Sequence, residues 1–280
     1  MVGRAVCEYC SARGDLVFPF DHHSLDVGDA NRVMEALKKD RPDAVINCAA
    51  WTDVDGCELD QQLAFAANAR GPENLARASH EINAALVTIS TDYVFKGDRE
   101  GFYTQRDQPN PQSVYGASKL EGERCAQLVH ARTMVVRTGF VFGPGGNNFL
   151  STIIERAGRG EKLKAISDAY GTPSYAPDLA RRLREVAQLD LPGTYHVVNA
   201  GEGVSYEEFA RAALDLAGYA GISIEAVTMN TLNRPASRPR NSRLKCLLSE
   251  AVGLAPLPFW KDSLGSFVAL NSRREVVAKL

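Results

Sequence analysis

The sequence predicts an α/β protein built on a doubly wound parallel sheet, with a smaller second domain towards the C-terminus. Up to about residue 140, short apolar segments alternate with segments of helical periodicity. Strands that lack a polar face are typical of parallel sheets covered by helices on both sides. Beyond Gly143 the segments are shorter and richer in proline and glycine. We therefore predict a first domain over residues 1–142 and a second over 143–280, from which segments can return to the first.

The order of the elements follows from the same patterns. Helical periodicity recurs in five segments, which are 2–13, 31–39, 57–67, 71–83 and the segment that starts near Pro111. Apolar strand-like segments recur in four places, which are 15–21, 43–50, 84–90 and 133–138. Asn110 is a favourable N-cap and Pro111 a favourable first helical residue, so we expect the last helix to begin there. Asp21 closes the first of the strands.

Composition excludes several classes of protein. The 280 residues are 45% hydrophobic and 24% charged with a formal net charge of −2, so no basic surface for nucleic acid is expected. The chain has no run of about 18 apolar residues and no signal-peptide pattern at its start, so we expect a cytoplasmic protein that does not bind membranes. Cys7 and Cys10 form a C-x-x-C pair inside a predicted helix with no second pair. We therefore expect reduced thiols and no metal site.

The chain opens on a predicted helix rather than on a strand. Residues 1–6, M-V-G-R-A-V, resemble the end of the fingerprint G-x-x-G-x-x-G, with Gly3 as its last glycine. In that fingerprint a first strand and two earlier glycines bring the backbone close to the pyrophosphate of a dinucleotide. We therefore expect a truncated chain, a sheet that lacks its first strand, and weak or no cofactor binding. On the alternative interpretation, Gly3 is an unrelated helix residue.

A phenol and an amine lie four residues apart on the helix predicted after Asn110. Tyr115 and Lys119 would share one face of that helix, and a nearby ammonium lowers the pKa of a phenol, which favours general acid chemistry at a carbonyl oxygen. Thr91 follows the apolar strand 84–90, at the end of the sheet where ligands bind. We predict that these three side chains meet in one pocket.

These residues stand in motifs that resemble the extended short-chain dehydrogenase/reductases, and most closely the dTDP-4-dehydrorhamnose reductase family. The resemblance covers nearly the whole chain, from Gly3 to about Leu264. It implies a Rossmann-type fold and a catalytic set of Thr91, Tyr115 and Lys119. The matching motifs are S-T-D-Y-V-F (90–95), Y-G-A-S-K-L-E-G-E (115–123), N-C-A-A-W-T-D-V-D (47–55) with Glu58, R-T-G-F-V-F-G (137–143), N-N-F (147–149), and G-T-P-S (171–174) with D-L-A (178–180).

The resemblance also implies a nicotinamide cofactor, NADPH or NADH. The residues expected along it are Gly3, Asp21, Asp26, Val27, Ala49, Ala50 and Lys119. Asp26 has an equally weighted alternative as an ordinary helix-start residue. Asp21 would accept hydrogen bonds from a ribose 2′-hydroxyl, which favours NAD, whereas the family leans to NADPH. The choice between the two cofactors stays open.

The substrate expected from the resemblance is a dTDP-sugar, and the chain is compatible with a homodimer. The residues expected to contact this substrate are Asp92, Tyr93, Phe140, Asn147, Asn148 and Arg238. Phe140 could equally be a core side chain. Arg238 is placed on the diphosphate because a guanidinium binds such groups through paired hydrogen bonds, although solvated arginines are common.

The function implied is reduction of the C4 ketone of dTDP-4-dehydro-L-rhamnose to dTDP-L-rhamnose. Another nucleotide-sugar reductase is one alternative. A nucleotide-sugar dehydratase is less favoured, because those enzymes carry Asp-Glu after the catalytic threonine and this chain has Asp92 followed by Tyr93. From a different class, the regulatory subunit of methionine adenosyltransferase resembles this chain in fold, and a binding role of that kind is the second alternative.

Overall fold

The computed structural model describes residues 1–278, with side chains described up to Asn271. Its main sheet has four parallel strands in the order β1-β2-β3-β8. The strands, in chain order, are β1 (Ala44–Asn47), β2 (Ala85–Thr91), β3 (Thr133–Thr138), β4 (Val141–Phe142), β5 (Leu163–Ile166), β6 (Tyr170–Gly171), β7 (Ser174–Tyr175), β8 (Gly193–His196), β9 (Val204–Ser205) and β10 (Ile224–Val227). The strands outside the main sheet pair two by two, β4 with β7, β5 with β10, and β6 with β9.

Helices surround this sheet and connect its strands. In chain order they are α1 (Val2–Ala12), α2 (Ala30–Asp40), α3 (Val54–Leu59), α4 (Gln61–Phe65), α5 (Gly71–Ile82), α6 (Val114–Val129), α7 (Phe149–Gly158), α8 (Ala176–Leu189), α9 (Tyr206–Leu216), α10 (Leu248–Ala251) and α11 (Trp260–Ala278). A π-helical turn, Ala66–Arg70, joins α4 to α5, and 3₁₀ turns cover Asp92–Val94 and Met229–Thr231.

Both faces of the main sheet are covered by helices, which confirms the predicted doubly wound fold. On one face, α1 and α8 bury a cluster that includes Val6, Val87 and Leu183. On the other, α2, α5 and α6 bury a cluster that includes Val33, Leu75 and Leu86. The strands β2 and β3 lie between these layers and are almost entirely buried, as expected of parallel strands without a polar face.

A third hydrophobic cluster forms from residues after position 140. It joins α7, α9, α11 and the β5–β10 pair around Phe142, Leu150, Phe209 and Phe267. Between these elements the chain returns to the main sheet, where α8 packs against α1 and β8 pairs with β3. The division at residue 142 stays a prediction, although these contacts show which later segments lie against the first sheet.

The strand predicted over residues 15–21 does not form. These residues adopt no strand in the structure, and Asp21 instead begins a turn in which its carboxylate accepts from the backbone N–H groups of His23 and Ser24. A strand needs a hydrogen-bonding neighbour, and no other strand of the described chain pairs with this segment. Its apolar side chains remain largely outside the core, with Leu16 82% and Phe20 48% exposed.

One predicted helix start and one alternative role of a capping residue are also wrong. Helix α6 begins at Val114, because the Ser113 side chain accepts from the Gly116 N–H, whereas the Asn110 N–H bonds to the Val94 carbonyl in a preceding loop. Helix α2 begins at Ala30, one residue before the predicted start, and its N-cap is Asp29, so the alternative interpretation of Asp26 as the helix-start residue is wrong. In both cases several residues able to cap lie close together, and the surrounding chain selects one of them.

Candidate active site

The carboxyl end of β2 forms the centre of the candidate site. Thr91 ends the strand, and its hydroxyl accepts a hydrogen bond from the Tyr93 N–H at 3.1 Å. The same hydroxyl donates to Oδ1 of Asp92 at 3.1 Å. Thr91 and Asp92 are almost fully buried, at 5% and 3% exposure. Ligands of parallel sheets bind beyond this end of the strands, so these side chains lie where a site is expected.

Helix α6 passes very close to this strand end. A Cβ on Gly116 would overlap the carbonyl oxygen of Tyr93, and a Cβ on Gly122 would overlap the carbonyl oxygen of Asn68. Both positions therefore require glycine because of the close approach. As a result, Tyr115 packs edge-on against the Tyr93 ring, with the ring centroids 5.9 Å apart.

Thr91 is among the groups close enough to Tyr115 to affect its phenol. The nearby Thr91 hydroxyl acts to lower the pKa of the Tyr115 phenol. Burial has the larger and opposite effect, and the negative charge of Asp92 adds to it, so the pKa of Tyr115 lies above its usual value. We expected the Lys119 ammonium to lower the pKa of Tyr115. In the structure the effect of burial is larger, and the pKa is raised.

Lys119 lies one helical turn beyond Tyr115 and is 3% exposed. Its ammonium donates a hydrogen bond of 2.6 Å to the carbonyl oxygen of Ile89 in β2. Burial lowers the pKa of Lys119 to about 8, although the charge of Glu123 acts in the opposite direction. An ammonium has three N–H donors, so two remain to bind a ligand.

A buried ion pair holds helix α6 against β3. Arg137 in β3 donates to both carboxylate oxygens of Glu123, at 2.9 and 2.6 Å. Both side chains are less than one-tenth exposed, and the guanidinium lies over the Phe95 ring, 5.2 Å from its centroid. The pair joins α6 to β3, which fixes the position of the helix relative to the sheet.

Aromatic side chains form one wall next to these residues. Phe140 has a left-handed backbone conformation, with φ of 44°, and its ring lies against Gly171 where a Cβ would overlap it. The ring stacks on Tyr206 with a centroid separation of 4.2 Å. The neighbouring Gly139 is equally constrained, because a Cβ there would lie 2.5 Å from the Asp92 carboxylate.

Tyr206 is a residue of this wall that sequence reasoning missed. It begins α9 after the N-cap Ser205, and its phenol interacts with the Tyr93 hydroxyl. Burial is the main cause that raises the pKa of Tyr93, to about 12. The capping box formed by Ser205 and Glu208 was a usable signal for the helix start. Nothing in the sequence, however, indicated that this start lies beside Phe140.

Arg238 is held by an acidic partner from the first half of the chain. Its guanidinium donates to both carboxylate oxygens of Asp55, at 3.0 and 2.8 Å. The hydrogen bonds from Arg238 are the main cause that holds the pKa of Asp55 below its usual value. Arg238 also lines a cavity of about 210 Å³ with Arg234 and Met229. It is therefore neither solvated nor unpaired, and its predicted contact with a diphosphate stays a prediction.

The two asparagines expected at the substrate have different environments. Asn147 is exposed. Asn148 is the N-cap of α7, where its side-chain oxygen accepts from the N–H groups of Leu150 and Ser151. Its side-chain nitrogen donates to the carbonyl oxygen of Gly143 at 3.1 Å. The polar atoms of Asn148 are thus used within the protein.

The loop after β1 presents small side chains at the same end of the sheet. Ala49 is exposed and Ala50 is partly exposed. Two asparagine side chains hold the loop in place. The Asn47 side chain accepts from the Ala49 N–H at 3.0 Å, and the Asn68 side chain accepts from the N–H of Trp51 and donates to its carbonyl oxygen. A rigid loop with small side chains leaves room for a flat cofactor.

The other residues expected at a cofactor are spread around this loop. Gly3 lies in the first turn of α1, and a Cβ there would be 3.5 Å from the Cβ of Cys48. Asp26 is exposed and accepts from the Gly28 N–H, and the Val27 carbonyl accepts from the Asn74 side chain. Asp21 is exposed within its turn. Their contacts with a cofactor stay predictions.

Among the described residues, no cluster of three or more histidine, cysteine or acidic side chains could hold a metal ion. None of the helices in that part of the chain is both long and apolar enough to cross a membrane.

The sequence profile of the RmlD substrate binding domain family matches residues 1–272. The chain belongs to this family. Its curated relatives include the dTDP-4-dehydrorhamnose reductase of Streptomyces griseus, which is 36% identical over 98% of this chain and 92% of the relative. The protein of the same name from Mycolicibacterium smegmatis is 34% identical over 96% of this chain and 82% of the relative. The resemblance inferred from the motifs is confirmed.

Solved structures of family members have the same fold. A dTDP-4-dehydrorhamnose reductase from Clostridium acetobutylicum superposes with a TM-score of 0.93 at 36% identity, covering 97% of this chain and 96% of that one. The Bacillus anthracis reductase, solved in complex with NADP, gives a TM-score of 0.92 at 34% identity, covering 95% and 94% of the two chains. The Rossmann-type fold of this RmlD family member is therefore confirmed.

Proposed function

We propose that this chain reduces the C4 ketone of dTDP-4-dehydro-L-rhamnose to dTDP-L-rhamnose, with NADPH or NADH as hydride donor. The observation that supports this most directly is that α6, which carries Tyr115 and Lys119, lies against the end of β2, where Thr91 is located, in a member of this family. The relatives from Streptomyces griseus and Mycolicibacterium smegmatis carry the reductase name, and the Bacillus anthracis relative was solved in complex with NADP. The chain is an oxidoreductase on this proposal.

The cofactor would lie along the loop after β1. Ala49 and Ala50 leave space there, and the two remaining N–H donors of Lys119 can bind ribose hydroxyls. Gly3, Asp26 and Val27 would contact the rest of the dinucleotide, and Asp21 the adenosine ribose. When bound, a nicotinamide cofactor supplies the hydride that reduces the ketone.

Tyr115 would deliver the proton. Negative charge develops on the ketone oxygen as the carbonyl is reduced, and this oxygen needs a donor that still holds its proton at neutral pH. Burial keeps the pKa of the Tyr115 phenol above its usual value, so the phenol is protonated. After transfer, the Lys119 ammonium would stabilise the phenolate by its charge.

The sugar nucleotide would lie against the aromatic wall. Phe140, Tyr206 and Tyr93 offer apolar faces for the sugar ring, and Asp92 lies behind them. Arg238, Asn147 and Asn148 would contact the nucleotide part of the substrate. Because Asp55 already neutralises Arg238, a diphosphate would have to share this guanidinium.

The proposal is tested with Tyr115→Phe. The variant loses one hydroxyl, and loss of a general acid lowers kcat by about 10²–10⁴-fold. Turnover is followed by the absorbance of the reduced nicotinamide, with dTDP-4-dehydrorhamnose as substrate. Tyr219→Phe is the matched control, because Tyr219 packs against the third hydrophobic cluster and should retain full activity. A Tyr115→Phe enzyme with near-normal kcat would remove the phenol from the mechanism.

The sugar specificity needs its own comparison. One relative, from Streptomyces antibioticus, is named as a probable dTDP-4,6-dihydroxy-2-methyloxan-3-one 4-ketoreductase and is 34% identical over 94% of this chain. Assays with several dTDP-4-ketosugars should give the highest kcat/KM for dTDP-4-dehydrorhamnose. A higher value for another ketosugar would keep the reaction and replace the substrate.

We also propose that the protein is a cytoplasmic enzyme that acts on small-molecule substrates. Its partners are the dTDP-sugar and the cofactor, with neither nucleic acid nor membrane involved, and a homodimer is the assembly proposed. Light scattering of the purified protein measures that assembly, and cell fractionation measures the location.

A further inference from the structure

Helix α6 carries an acidic side chain one turn beyond Lys119. Glu123 follows Lys119 by four residues, so the two side chains lie on the same face of the helix, with their Cβ atoms about 5–6 Å apart. Both are almost fully buried, at 3% exposure for Lys119 and 4% for Glu123. A charge acts more strongly on its neighbour in such a position than at the surface, because little water surrounds the two groups. Glu123 is therefore placed to favour the charged form of Lys119.

The Glu123 carboxylate is nevertheless not bound to Lys119. Arg137 in β3 donates to both of its oxygens, at 2.9 and 2.6 Å. The Lys119 ammonium donates instead to the Ile89 carbonyl oxygen, and no hydrogen bond or ion pair joins it to Glu123 among the residues that the structure describes. Glu123 can thus act on Lys119 through space while the other two ammonium donors stay free.

The other titratable groups around Lys119 are uncharged at neutral pH. Burial raises the pKa of Cys48, in the loop after β1, to about 12, and burial also raises that of Tyr115, so both side chains keep their protons. Next to the guanidinium in β3, burial lowers the pKa of His196 to about 4, so its ring is neutral. Glu123 and Cys48 both oppose the effect of burial on the pKa of Lys119, and Glu123 has the larger effect.

We infer that Glu123 is a positioning residue that acts through Lys119: its charge keeps the buried ammonium protonated, while Arg137 occupies the carboxylate and leaves the ammonium donors free for ligands. The inference deepens the proposed function, on which its catalytic part rests, because the ammonium would bind ribose hydroxyls and stabilise the Tyr115 phenolate. An ion pair that served only to hold α6 against β3 would not affect the protonation of Lys119.

Titration of Lys119 tests the inference without any assay of activity. In protein isotopically labelled at the lysine ε-carbon, the NMR shift of each lysine is followed against pH, and the signal missing from Lys119→Met identifies Lys119. The wild-type midpoint should lie near pH 8. In Glu123→Gln the midpoint should fall by about one pH unit or more, as expected for loss of a nearby opposite charge. An unchanged midpoint would overturn the inference, whatever the protein catalyses.

Three further variants separate the charge of Glu123 from its structural role. Glu121→Gln removes the same charge from an exposed position of α6 and should leave the midpoint in place. Glu123→Asp keeps the charge and should retain most of the wild-type midpoint. If Glu123→Gln does not fold with Arg137 unpaired, Glu123→Gln combined with Arg137→Leu removes both charges and should still lower the midpoint, since Glu123 rather than Arg137 acts on Lys119. Equal shifts in the Glu121 and Glu123 variants would overturn the inference.

The pH dependence of turnover tests the consequence for the proposed reaction. The alkaline limb of kcat/KM reports groups of the free enzyme, so it should move to lower pH in Glu123→Gln together with the Lys119 midpoint. The loss of kcat/KM relative to wild type should be several-fold larger at about pH 8.5 than at about pH 6, where Lys119 is protonated in both proteins. A limb that does not move would overturn the positioning role. A wild-type protein without turnover but with the expected NMR shifts would instead contradict the proposed function.

Discussion

Lys119 combines a charged group with an almost fully buried position. Its ammonium donates a hydrogen bond to the Ile89 carbonyl, and burial lowers the pKa of Lys119 to about 8 from 10.5. The folded state therefore binds this proton less tightly than the unfolded state does. The resulting cost to folding is fully present below about pH 8 and disappears as the pH rises towards 10.5.

Lys119→Met should consequently raise the stability of the protein at neutral pH. A pKa difference of this size corresponds to on the order of 3 kcal/mol, from which the lost hydrogen bond to Ile89 subtracts about 1–2 kcal/mol. The gain should shrink between pH 8 and 10, as measured by denaturant unfolding at both pH values. Lys164→Met, at an exposed position, is the control, and its effect should not vary in this way. Equal gains at both pH values would refute the assignment.

Some residues of the candidate site could be proposed from the sequence and others could not. Tyr115 and Lys119 could be found because a four-residue spacing has one meaning on a helix, and Thr91 because it directly follows an apolar strand. Tyr206 and the pairing of Arg238 with Asp55 could not be found. Each depends on two segments that meet only in three dimensions, and no local pattern encodes such a meeting.

At the scale of elements, α6 is the helix whose placement matters most. It carries Tyr115 and Lys119, and Gly116 and Gly122 allow its contact with the backbone of two neighbouring segments. Gly122 lies in the middle of the helix, where alanine would ordinarily be preferred. The close approach to Asn68 reverses that preference.

Gly122→Ala should therefore destabilise the protein. The new methyl group would overlap the Asn68 carbonyl, and overpacking of this kind costs about 1–3 kcal/mol. Gly265→Ala in α11 is the matched control. Apart from its own helix and chain neighbours, no atom of the described residues lies within 4 Å of its added Cβ, so helix propensity alone should stabilise the protein by up to about 1 kcal/mol. Denaturant unfolding measures both changes, and a Gly122→Ala protein as stable as wild type would show that the helix can shift.

Elements inside the sheet were easier to predict than those at its margin. The strand 133–138 has the predicted bounds, since an apolar segment buried on both faces has little choice of conformation. The segment 15–21 had similar apolar content but forms no strand, because strand formation depends on a neighbour as well as on side chains. Helix α6 was predicted to start at Pro111 but starts at Val114, because Ser113 provides the N-cap.

At the scale of the whole molecule, Asp55 and Arg238 join distant parts of the chain. Arg238 belongs to the segment that follows β10, and Asp55 to α3 near the cofactor loop. The Arg238 side chain is only 15% exposed and that of Asp55 33%, and two hydrogen bonds join them. A paired, partly buried ion pair is worth more than an exposed one.

A double-mutant cycle should measure this difference. Asp55→Asn and Arg238→Gln, alone and together, should give a coupling energy of about 1 kcal/mol or more in denaturant unfolding. Lys164→Gln and Glu225→Gln form the control cycle, since both side chains of that pair are 57% exposed, and their coupling should be close to zero. Similar couplings in the two cycles would mean that the cross-chain pair contributes no more than a surface contact.

The constrained turn at Phe140 has a consequence for redesign of the site. Glycines on both sides of the aromatic wall, Gly139 and Gly171, have no room for even one added carbon, because the Asp92 carboxylate and the Phe140 ring occupy that space. An engineer who wished to reshape the sugar subsite could not do so by single substitutions at either glycine. Tyr206, which comes from a separate helix, is the position through which ligand preference could be altered while the turn stays intact.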